Sequence, residues 1–107
     1  MPDPASIHFI EKAGNFSRID KNSQMYESCC WVLAEDTAAS LIGGMAYFHK
    51  AQDKPSYFGG RIIECRKVTA GNDEGRFVII FEAGMEGKDV RTGPVGWSNE
   101  KKIVRRP

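Results

Sequence analysis

From residue 6 onward the chain alternates short apolar runs with polar, glycine-rich breaks, a pattern that predicts strands more than helices. Residues 7–10 set Ile7 and Phe9 against His8 and Ile10, a first short strand. Residues 14–24 (GNFSRIDKNSQ) are polar and turn-rich and read as a long loop, the kind that tends to carry function or motion. Residues 29–33 (CCWVL) form an unbroken apolar run, too short and too rich in β-branched and aromatic side chains for a helix, so a buried strand is expected. Asp36 supplies a helix N-cap and Gly43 a left-handed stop, which frames a short helix over 36–42. Residues 45–49 (MAYFH) place Met45, Tyr47 and His49 on one strand face and Ala46 and Phe48 on the other.

A polar connection and an aromatic turn ending in Gly59 and Gly60 follow, and then residues 61–68 (RIIECRKV) alternate as a half-solvated strand. This strand pairs as a hairpin with 76–82 (RFVIIFE), whose continuous apolar stretch predicts a central strand covered on both faces. Four glycines and a proline make residues 84–96 a wrapping loop, and 97–104 (WSNEKKIV) closes the domain as a last strand. Five or six mainly antiparallel strands with at most two short helices favour a mostly β (α+β) fold, a small barrel, over a layered α/β sheet. At 107 residues the chain is one domain with room for a core, and residues 1–5, with Pro2 and Pro4, are expected to fray.

Charge narrows the partners. A net charge of +1 provides no strong overall field toward polyanions, so any contact with nucleic acid needs a local basic patch. No apolar run approaches the roughly 20 residues of a membrane helix, and the start MPDPAS lacks the basic and apolar regions of a signal peptide, so a soluble, cytoplasmic protein is expected. Cys29, Cys30 and Cys65 form an odd set without a C-x-x-C pair. Adjacent cysteines rarely bridge, so all three read as buried, reduced thiols in a reducing compartment. No metal and no cofactor is expected, because two isolated histidines without paired carboxylates do not make a ligand set.

The succession strand, strand, Trp31, short helix, LIGG at 41–44, YFH at 47–49 and FGGRI at 58–62 resembles the PUA-like barrels, the group that holds PUA, ASCH, EVE and YTH domains. The usual I-x-x-G-D signature of that group is departed from, because Met45 and no acid follows Gly44. The resemblance implies a pocket walled by the strand after the helix and the glycine-rich strand that follows. It also implies nucleic-acid recognition, often of a single modified or flipped base, and for some ASCH-type members a small hydrolase activity on a modified nucleoside or RNA.

Read from the residues, Trp31, Tyr47, Tyr57, Phe58 and Trp97 suit either a cage around a planar base or the core of a small barrel. The ligand-binding candidates are Tyr47, His49, Tyr57, Gly60, Arg61, Trp97 and Ser98, with Asn99 as a further group for the edge of a base. Lys50, Lys54, Lys101, Lys102, Arg105 and Arg106 are the candidates for gripping phosphates, against the plainer reading of a solvated face and tail. If the chain is an enzyme, His49 or a lysine is the candidate base, with Glu64 or Glu82 as its proton-transfer partner. No P-loop, dinucleotide fingerprint or nucleophile elbow occurs. Three classes of function remain: a module that binds RNA, DNA or a nucleoside-like molecule, a small hydrolase, and an interaction module that docks a partner on an edge strand.

Overall fold

The computed structural model describes residues 4–12, 14, 16–98 and 100–105. Its strands are β1 (Ser6–Ile10), β2 (Ser17–Arg18), β3 (Met25–Trp31), β4 (Met45–His49), β5 (Ser56–Lys67), β6 (Phe77–Ala83) and β7 (Lys101–Val104). One helix, α1 (Glu35–Leu41), joins β3 to β4, and a 3-10 turn at Met85–Gly87 follows β6. The strands form a single mixed sheet in the order β2-β3-β6-β5-β4-β1-β7, in which β1 and β4 run parallel and the other pairs antiparallel.

The mostly β class and the β5–β6 hairpin agree with the sequence reading, and three other expectations change. No ladder joins β2 to β7 among the described residues, so the hydrogen bonding is that of an open sheet and not of a closed barrel. β5 begins at Ser56 and runs straight through Gly59 and Gly60, which were read as the end of a turn. A Cβ on Gly60 would collide with the Glu82 carbonyl and stand 2.7 Å from the Ala83 Cα, so this glycine answers a close backbone approach inside the sheet. At the chain start, Ala5 is buried and donates its N–H to the Ser40 carbonyl (2.9 Å), which ties down a segment expected to fray.

Although open, the sheet is strongly curled. β3 and β1 lie four strand spacings apart, which in a flat sheet would separate them by about 19 Å. Yet the rings of Phe9 on β1 and Trp31 on β3 have centroids 4.0 Å apart. The inner face wraps around an aromatic core in which Phe48 meets Phe9 and Phe81, each at 5.2 Å, and Phe16 at 4.6 Å. Ala5, Ile7, Leu41, Ala46, Ile62 and Ile79 complete the buried cluster. This explains why residues 14–24 are not simply loop: Phe16 is drawn into the core, and Ser17 and Arg18 pair with Glu27 and Tyr26.

The N-cap of helix α1 lies two residues before the Asp36 that the sequence offers. Ala34 occupies the N-cap position, and Asp36 accepts the N–H of Thr37 from inside the first turn. Gly43 ends it with φ +89°, as a left-handed stop requires. An ion pair between Lys67 and Glu35 ties α1 to β5. Buried Ser56 fastens the segment after β6, donating to the Gly87 carbonyl (2.8 Å) and accepting from the Val90 N–H (3.0 Å).

Candidate functional site

The curl brings the two margins of the sheet close together without joining them, and the seam between them holds a cavity of about 760 Å³. Trp31, Cys29, Cys30 and Val32 line it from the β3 side, and Ser98, Glu100 and Lys101 from the β7 side. Glu11 and Arg76 complete the wall. The antiparallel register Trp31↔Phe77 carries the turn before β6, with Asp73 and Arg76, alongside the end of β3. Lys101 reaches across the seam to donate to the Val32 carbonyl. One face of Trp31 rests on Phe9, and its indole N–H is held by Ser28 Oγ at 2.9 Å. Trp31 is therefore fixed in orientation before any ligand arrives.

Between Ser28 and Trp31 the ladder with β6 advances three residues on β3 for two on β6, a β-bulge centred on Cys29 and Cys30. In a regular strand adjacent side chains point to opposite faces. Here both cysteines line the same cavity, and they are joined as a vicinal disulfide. Cys29 is exposed and Cys30 half-buried, which overturns their expectation as buried, reduced thiols. Cys65 is a free, half-buried thiol, pushed up to about 11 by burial and by the nearby Glu64 charge.

The predicted pocket residues divide into separate groups. Tyr47, His49 and Trp97 do come together, on the outer face of β1 and β4, with His8 as the member not foreseen as a ligand group. His8 stacks on Tyr47 with ring centroids 4.8 Å apart, and Trp97 stands edge-on to His49 at 5.8 Å. His8 and His49 are buried and share a 2.8 Å hydrogen bond, while His49 Nδ1 meets the Lys54 carbonyl at 2.8 Å. Burial lowers both histidines, His8 to about 4 with further help from the His49 and Lys102 charges. The indole N–H of Trp97 is buried without a hydrogen-bond partner among the described residues.

Tyr57 lies elsewhere, donating its hydroxyl to the Glu11 carbonyl beneath the Lys50 ammonium, which sits 5.3 Å from the ring centroid. Burial first, and the Glu11 charge second, push its phenol up to about 12. Arg61 is exposed and donates to the Gly43 carbonyl at 2.8 Å, and Gly60 is enclosed by backbone. Neither the seam cavity nor a smaller one of about 280 Å³ beside Phe58 and Met85 has Tyr47, His49, Tyr57, Arg61 or Trp97 in its wall. Among the described members of the predicted ligand set, Ser98 alone reaches the seam. Glu64 and Glu82 are exposed on β5 and β6, and both ring nitrogens of His49 face other partners.

The basic residues do not form one stripe. Lys101 lines the seam, Lys102 turns to the opposite face and donates to the Gly93 carbonyl (2.9 Å), and Arg105 donates to Ser40 Oγ (3.1 Å). Lys50 and Lys54 flank the connection between β4 and β5, and Arg106 and Asn99 lie outside the described residues. Sequence reasoning missed Arg76 and Asp73 because only the β3–β6 register, set by tertiary pairing, brings their turn to Trp31. The comparisons return no match to a protein-family model, to a curated protein or to a solved structure, so this site is read from its geometry.

Proposed function

We propose that the chain is a binding module that takes a single base or nucleotide of a nucleic acid into the seam cavity. In this reading the curled sheet acts as an incompletely closed PUA-like barrel, in a cytoplasmic protein, and the unclosed seam is its mouth. The observation that carries it is the combination, in one cavity wall, of an indole held in place with two cations, Arg76 and Lys101. A volume of about 760 Å³ suits a nucleotide-sized ligand, since ligand pockets commonly span about 300–1,000 Å³. Trp31 offers a π-face for stacking, worth roughly 1–3 kcal/mol per base. Arg76 and the remaining donors of the Lys101 ammonium suit phosphate or sugar oxygens, and Ser98 and Glu100 suit the hydrogen-bonding edge of a base.

The test is a fluorescence-anisotropy titration of short single-stranded RNA and DNA at several salt concentrations. With two cations engaged, the reading expects weak binding whose log–log salt slope flattens by about 1.4 in the double variant Arg76→Gln, Lys101→Gln. No binding, or a slope untouched by that variant, counts against it.

A further inference from the structure

We infer that the bulge at Cys29–Cys30 is a redox-gated site for a soft divalent cation of the zinc class, with Asp73 as the third ligand. The sulfurs of Cys29 and Cys30 and a carboxylate oxygen of Asp73 all lie within 4.8 Å of one another. They come from two segments that the β3–β6 register brings side by side, the bulged end of β3 and the turn before β6. A tetrahedral ion with bonds of about 2.0–2.3 Å to oxygen and sulfur spreads its ligands roughly 3.5–3.8 Å apart, a separation the two sulfurs can take up only once the disulfide between them is opened. Three protein ligands leave a fourth position, and because both cysteines line the seam cavity, water or a ligand group held there can complete the shell.

The disulfide is the closed state of this site. Opening it takes two electrons and two protons. A small-molecule or protein dithiol supplies both as it is itself oxidised to a disulfide, leaving two thiols. The incoming cation then displaces the two thiol protons and bonds the two thiolates. Cys65 stays protonated and half-buried on β5, outside this donor set. The inference goes beyond the binding reading above and does not depend on it, because the donors are the chain's own.

The test uses cadmium as a probe with a strong ultraviolet thiolate-to-metal absorption. The whole protein is reduced with a phosphine, freed of reductant without air, and titrated. The expected result is one equivalent bound by the reduced protein and none by the oxidised one. Cys29→Ser and Cys30→Ser should each weaken binding at least tenfold, and Asp73→Asn on the order of tenfold, the lower end of what even an outer-shell partner contributes. Cys65→Ser should leave the titration unchanged. As a measure that needs no variant, cadmium should protect Cys29 and Cys30 of the reduced wild-type protein from alkylation, read by peptide mass. Absence of the absorption in the reduced protein, its survival in both serine variants, or protection confined to Cys65 overturns the site. An unchanged affinity in Asp73→Asn overturns the three-ligand assignment.

Discussion

His8 donates its Nδ1 proton to Nε2 of His49, across the parallel pairing of β1 and β4, over 2.8 Å. The direction follows from the far side of His49. Its Nδ1 faces the Lys54 carbonyl, which can only accept, so the proton of neutral His49 sits on Nδ1 and its Nε2 is left to receive. His8 must then carry its own proton on Nδ1. A second proton on His49 would set two N–H groups against each other, and both rings are buried. Burial, which lowers both rings, is what holds the pair neutral.

The pH dependence of stability has a definite sign. Burial, then the His49 and Lys102 charges, lower His8 from 6.5 to about 4, and His49 is lowered too. Between those values the unfolded chain binds more protons than the folded one, so stability rises with pH. The contribution is whole above about 6.5 and is lost progressively as pH falls toward about 4. Urea denaturation from about pH 7 to about pH 4 should show midpoints falling across that window, and His8→Gln should flatten the fall. A midpoint that holds constant would mean that the pair is not kept neutral.

Trp97 closes the outer face over the two histidines, at 6.4 Å from the His8 ring and 5.8 Å from His49. Trp97→Ala should admit water and move the His8 titration, followed by NMR, upward from about 4 toward 6.5. The accompanying loss of stability should fall short of the roughly 3–5 kcal/mol for a fully buried tryptophan, because Trp97 is only half-buried. Unchanged His8 titration in that variant would rule out the shielding role.

Much of this arrangement was legible in the chain. Alternation located β4 at Met45–His49 and the outgoing half of β5, where burial of one face enforces a period of two, and the continuous apolar run located β6, which is buried on both faces. The placement of β3 failed by several residues. CCWVL at 29–33 reads as the strand itself, but the strand runs Met25–Trp31, and Val32, at 60% exposed, lies past its end. A bulge and the seam, both products of curling, bring the two cysteines to the cavity, and no local periodicity encodes either. Tyr47 and His49 do share a face as the spacing predicts, yet that face is closed by His8 and Trp97 from distant parts of the chain.

Gly60 tests the packing of the long β5 strand. Gly60→Ala drives a methyl into the Glu82 carbonyl and should cost about 1–3 kcal/mol or more by chemical denaturation. Gly93→Ala is the control: nothing lies within 4 Å of its Cβ position, and it should change stability by less than about 0.5 kcal/mol. Equal effects from the two would mean that β5 and β6 are not so closely packed at Gly60.

The central claim is that the seam, and not the outer face around Tyr47 and His49, receives the ligand. The most direct measurement is NMR of isotope-labelled protein titrated with a short single-stranded oligonucleotide. The account predicts shifts concentrated on the indole N–H of Trp31 and the backbone N–H groups of Cys30, Arg76, Ser98 and Lys101, which line one cavity. Shifts concentrated instead on Tyr47, His49 and Trp97, or no shifts at all, would contradict it.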